Sequence, residues 1–157
     1  MVTNRSFFIV FVLMVLSLSP LLLKSYNTYH EDNFSCHATV RVQREKSLLN
    51  LTLFYTFKSG EGQAEVTGAL FSVGKSAVKL SRKFTFSYQR QGDTFALFSN
   101  ETFANTPLVE MLQPLVPDFY LLRGRGYQTE IYRLTTGNYL FVADNIPVFY
   151  CLTNKNN

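Results

Sequence analysis

Two cysteines, two histidines and eleven carboxylates are the groups through which this chain could bind a metal or make and break bonds. Their spacing argues against both. Cys36 and His37 are adjacent in a segment that alternates apolar and polar residues, so as strand neighbours they point to opposite faces and cannot pair as metal ligands or as nucleophile and base. His30 lies apart from that pattern. No Gly-x-Ser-x-Gly elbow, phosphate loop or paired metal motif occurs, and Gly124-Arg125-Gly126 is a flexible loop. Glu110 and Asp118 read as capping or solvated groups rather than an acid pair. No catalysis, cofactor or metal is therefore expected. The chemistry left to the cysteines is oxidation. Cys36 falls in the first strand candidate and Cys151 in the last, which are neighbours in an up-and-down barrel. Their positions favour a disulfide closing a loop of more than a hundred residues, against two separately buried thiols.

Binding is the better prospect, because the chain has 15 Phe and 9 Tyr but no Trp. Aromatic residues suit half-buried pleated surfaces. The elements that would position them alternate at period two. Phe34, Cys36, Ala38, Val40 and Val42 share one face, as do Leu49, Leu51, Leu53, Tyr55 and Phe57. Residues 63–72 form a weaker strand in which Gly68 suggests a bulge or bend. Val78, Leu80, Arg82, Phe84, Phe86 and Tyr88 give the longest clean alternation, and Phe95 and Leu97 pair back across Gln91-Gly92-Asp93. Further strands are expected at residues 127–134, 138–143 and 147–152. Between the two strand groups, Asn105 or Thr106 can cap a short helix carrying Leu108, Met111, Leu112 and Leu115, which Pro114 and Pro117 limit. The expected fold is mainly β: an antiparallel up-and-down, lipocalin-like barrel or strongly curled sheet with one short helix. Leu53, Tyr55, Phe57, Phe84, Phe86, Tyr88, Phe95, Leu112 and Phe119 are the candidate lining of a ligand cavity. The plainer reading is that they fill the core themselves.

Residues 7–23 hold no charge, with Arg5 before them and Lys24 after. No good signal-peptidase site follows, since Ser17-Leu18-Ser19 leads into Pro20 and more leucine. A retained membrane anchor is expected, N-terminus inside, because Arg5 and the amino terminus precede the run without an acid. The domain plan is then residues 1–6 cytoplasmic, 7–23 transmembrane, 24–33 a stalk, and 34–157 a β domain outside the cytoplasm. Half of the formal charge of +4 falls on the anchor flanks, leaving thirteen basic against eleven acidic residues beyond. That balance gives no concentrated basic face, and direct nucleic-acid binding is not expected.

The apolar anchor, Phe34-Ser35-Cys36, the strand at residues 81–88, Val116-Pro117-Asp118-Phe119 and Phe149-Tyr150-Cys151, in that order, resemble the FidL-like inner-membrane proteins of enteric bacteria. The resemblance implies a non-catalytic periplasmic partner of a single-span, ToxR-like transcription regulator, in an arrangement similar to ToxS and VtrC. It further implies a heterodimer through the periplasmic domains and a barrel that takes an amphipathic ligand such as a bile salt. Arg82, Arg123 or Arg125 would meet the ligand's anionic headgroup; each is otherwise a solvated surface charge. A different class remains beside it: an anchored envelope or adhesin-accessory protein with a self-filled core and no ligand.

Overall fold

The computed structural model describes residues 3–153, with side chains described for 7–20 and 32–153. It divides into two compact units, residues 1–34 and 35–157.

The first unit is a single helix, α1 (Thr3–Asp32). Its described side chains from Phe7 to Pro20 are apolar apart from Ser17 and Ser19, and exposed apart from Ser19; the two serines fold back on their own helix. Ser17 Oγ donates to the Met14 carbonyl at 2.8 Å and Ser19 Oγ to that of Leu16 at 2.9 Å, so neither hydroxyl needs an outside partner. Among the described residues, no helix is long and apolar enough to cross a membrane. Residues 7–20 rise about 21 Å as a helix, short of a hydrocarbon core of ~30 Å, and the side chains of residues 21–23, needed to complete the expected span, lie outside those described. The expected stalk is helical in backbone as far as Asp32.

The second unit is one eight-stranded sheet in sequence order: β1 (Asn33–Arg44), β2 (Ser47–Lys58), β3 (Glu61–Ser72), β4 (Val78–Gln91), β5 (Thr94–Ser99), β6 (Gly126–Arg133), β7 (Tyr139–Ala143) and β8 (Ile146–Cys151). Every strand follows its neighbour antiparallel, as the alternation predicts. Tight turns set the registers: Ser59-Gly60 and Asp144-Asn145 each place two residues at positive φ, the geometry that matches a two-residue hairpin to the twist of its strands. The sheet curls until β1 and β8 meet. They join by the reciprocal His37–Leu152 bridge, with N···O distances of 2.8 and 2.7 Å, and by the Cys36–Cys151 disulfide beside it. Among the described residues the β1–β8 ladder does not otherwise close, which leaves the barrel open along a seam from that staple toward Arg44 and Ile146. Pro147 fits this edge, where a missing N–H is tolerated.

Register explains how the interior fills. Across β2, β3 and β4 the inward rows are Tyr55–Ala64–Phe84 and Phe57–Gly62–Phe86. Small residues on β3 make room for large ones on both sides. A Cβ on Gly62 would stand 2.2 Å from the Phe86 ring. Phe57, Phe84, Phe86, Phe95 and Phe119 are all 2% exposed or less, and their edge-to-face contacts, such as Phe57–Phe86 at 5.4 Å and Phe86–Phe119 at 5.7 Å, tile this end of the barrel. The next rows, Leu53–Val66–Arg82 and Leu51–Gly68–Leu80, are aliphatic and fill less volume. Gly68 does not make the expected bulge, because the register runs unbroken through it on both sides. Its role is close approach: a Cβ there would lie 2.0 Å from the Asn50 carbonyl oxygen. The register shift occurs instead at Phe141/Val142, opposite β8.

Between β5 and β6, residues 100–125 cross one mouth of the barrel. They contain α2 (Thr106–Leu112) and a 3₁₀ turn (Asp118–Tyr120) that the sequence reading did not anticipate. Asn105 is the N-cap, its Oδ1 accepting from the Leu108 N–H at 3.2 Å.

Candidate functional site: a hollow end with one inward arginine

Beneath this crossing segment lies a cavity of about 160 Å³. Leu51 and Leu53 of β2, Val66 of β3 and Leu80 and Arg82 of β4 form its walls, and Leu112, Leu115, Val116, Pro117, Tyr120 and Leu121 roof it. Val40 and Val42 of β1 and Val148 and Phe149 of β8 line it as well, so it reaches the two strands that flank the open seam. The crossing segment is held at three places. Arg44 donates to the Pro114 carbonyl at 2.7 Å, Arg82 donates to the carbonyls of Tyr120 and Glu101, and the Glu101 carboxylate accepts from both the N–H and hydroxyl of Thr85, at 3.0 and 2.9 Å.

Arg82 is the one charged residue in the cavity lining. It occupies an inward position of β4, between Leu80 and Phe84 in the alternation. Its guanidinium carbon lies 4.8 Å from the Phe84 ring centre and 4.9 Å from that of Phe103, a stacked arrangement that suits its weakly hydrated plane. Burial lowers its pKa, and the Glu101 charge partly opposes the shift; an arginine remains cationic regardless. Glu101 itself is held below its ordinary value, first by the Thr85 N–H and then by the Thr85 hydroxyl. The carboxylate hydrogen-bonds Thr85, and the Arg82 charge adds a smaller lowering.

At the boundary with the filled end, the Tyr55 and Tyr120 hydroxyls are 2.5 Å apart. Burial raises both pKa values; Tyr120 raises Tyr55 further, the hydrogen bond with Tyr55 lowers Tyr120 in part, and Tyr127 is raised by burial too. The pair stays protonated at neutral pH. One hydroxyl donates to the other, which leaves the second proton free to serve another acceptor.

The nine lining candidates separate cleanly. Leu53 and Leu112 line the cavity. Tyr55, Phe57, Phe84, Phe86, Tyr88, Phe95 and Phe119 instead pack on one another in the filled end, with Tyr55 and Phe84 touching the cavity residues Tyr120 and Arg82. Arg123 and Arg125 are outside the lining, and Arg125 reaches Asp118 at 3.9 Å in solvent. What sequence reasoning missed was the aliphatic half: Val66, Leu80, Leu121 and the paired valines of β1. The usable signal was Arg82, a charge in the inward register of an otherwise apolar strand. Among the described residues, no three His, Cys, Asp or Glu gather as metal ligands.

Fold and site together define a small up-and-down β barrel, stapled at one point of its seam, packed with aromatics at one end and hollow at the other. The chain belongs to the YqeJ C-terminal domain family, whose sequence pattern matches residues 33–151. This match lends no support to the FidL-like resemblance expected from the short motifs. No curated protein and no solved structure matches the chain.

Proposed function

We propose that this domain is a non-catalytic sensor subunit, tethered to the inner membrane with its β domain in the periplasm, that pairs with a single-span, ToxR-like transcription regulator. The observation that carries the reading is the coincidence of seam and cavity: Val40, Val42, Val148 and Phe149 belong at once to the unclosed edges and to the lining. Filling the cavity favours the arrangement in which these strands are ordered, and a partner strand or surface at the same edges favours it too. Two ligands that prefer one state promote each other by population shift. The uncharged run at residues 7–23 supports the tether, which would confine both proteins to one plane and raise their effective concentration. The resemblance to FidL-like proteins supports the choice of partner.

The test is co-expression of the full chain with the single-span winged-helix regulator encoded nearest to it, followed by pull-down. Recovery of both chains, strengthened by a cavity ligand, is expected. Failure to associate with or without ligand refutes the partnership. A second reading, an envelope structural protein without a ligand, draws on the filled aromatic end, where the barrel is its own occupant. It predicts association without any dependence on small molecules.

A further inference from the structure

We infer that the hollow end binds a small organic acid with a single ring or a short alkyl chain, its carboxylate paired with Arg82 and its tail among Leu51, Leu53, Val66 and Leu121. This rests on the reading of the cavity as a ligand site and names the class of ligand. Size sets the tail. A cavity of about 160 Å³ is of the order of an engineered ~150 Å³ apolar cavity that accommodates benzene, whereas drug-sized ligands such as a four-ring steroid need roughly 300 Å³ or more. A bile salt, the expectation from sequence resemblance, exceeds the space.

Charge sets the head. A cation held against an apolar wall is costly unless an anion compensates it. Arg82 gives two of its five N–H donors to backbone carbonyls, those of Tyr120 and Glu101. Both acceptors are neutral. The nearest acid, Glu101, hydrogen-bonds Thr85 with its carboxylate and offsets the Arg82 charge only in part, and among the described residues no carboxylate forms an ion pair with Arg82. The guanidinium is oriented by the Phe84 and Phe103 rings, so the remaining donors are fixed before any ligand arrives. A planar carboxylate matches that fork, and its apolar tail then meets walls that are mainly aliphatic, with Phe103, Tyr120, Tyr127 and Phe149 as the aromatic members. Because Arg82 also holds the roof through Tyr120, an acid in the cavity would reinforce the closure of residues 100–125 rather than open it.

The experiment is a titration of the full chain with phenylacetate and hexanoate, against phenylacetamide, hexanamide and cholate, read by methyl NMR shifts of Leu53, Val66 and Leu121. The acids should bind about tenfold or more tightly than their amides, the discrimination given by charge-assisted hydrogen bonds, and cholate should leave these methyls unmoved. Arg82→Gln should erase the difference between acid and amide. Because that change also loosens the roof, Val66→Phe provides an independent check: it fills the cavity and should abolish binding of acid and amide alike while Arg82 is untouched. Equal binding of acid and amide, or tighter binding of cholate, overturns the inference and leaves a ligand-sensing role standing. Unmoved methyls with every compound overturn the inference and the ligand role together.

Discussion

Removing the staple between the first and last strands should cost this domain a large part of its stability. Cys36 and Cys151 are 115 residues apart. Chain entropy alone assigns a crosslink over such a loop about 4.8 kcal/mol, and native disulfides removed from small exported domains typically cost ~2–5 kcal/mol. The bond stands beside the His37–Leu152 bridge, the one link between these edges among the described residues, so it carries much of the resistance to their separation. The perturbation is Cys36→Ala with Cys151→Ala, chosen because both positions are buried and serine would strand a hydroxyl there. With an unfolding entropy of about 0.25 kcal/mol/K for a domain of this size, the melting temperature should fall by roughly 8–20 °C. Circular dichroism melts of the full chain, with wild type under reducing conditions alongside, separate the crosslink from the lost sulfur volume. Both samples should lose similar amounts. A loss under about 1 kcal/mol in the reduced wild type would refute the argument, because the ends would then be held together by something other than the bond.

Three further outcomes follow from the fold. Gly68→Ala should destabilise by about 1–3 kcal/mol or more, since its Cβ would meet the Asn50 carbonyl at 2.0 Å; an unchanged urea midpoint would contradict the close approach. Asn105→Ala should cost about 1 kcal/mol and raise amide exchange at Leu108, whose N–H bonds to the Asn105 side chain, while exchange within β2 stays unaltered. Tyr55, Tyr120 and Tyr127 have folded-state pKa values raised chiefly by burial. The folded state therefore retains protons that the unfolded chain releases, so stability is complete below about pH 10 and declines above it. Tyr55→Phe should flatten that alkaline decline in urea melts, and an identical slope in the variant would remove the buried pair as its cause.

Local pattern carried much of this fold because a half-buried strand writes its faces at period two. Residues 78–88 are the clearest instance, and the N-cap at Asn105 was as readable from its position before Thr106-Pro107. The disulfide followed once the first and last strands were neighbours. The cavity was less legible because volume depends on which residues meet across strands. Tyr55 and Leu53 look equivalent along β2, yet one faces Ala64 and Phe84 while the other faces Val66 and Arg82. A periodic pattern names the inward face without saying where along it the filling stops. The aromatic residues drew attention as the larger surfaces, and for that reason they close their own end of the barrel. The irregular residues 100–125 roof the other end through backbone carbonyls that accept from Arg44 and Arg82, bonds with no trace in residue type. Family membership was harder still, since short motifs in a given order are individually weak and do not specify one family.

The open seam bears on how the protein survives at high concentration. Two bare strand edges invite endless pairing with further copies, the route by which sheet proteins form fibres. Here the β1 edge exposes Arg41, Gln43 and Arg44, and the β8 edge carries Pro147. Two β1 edges brought together would oppose like charges, and an edge interrupted by Pro147 cannot supply an unbroken row of donors. A foreign strand with acidic residues and a short reach meets neither obstacle. The gap in the barrel thus carries, on both of its edges, features that disfavour pairing with further copies of itself.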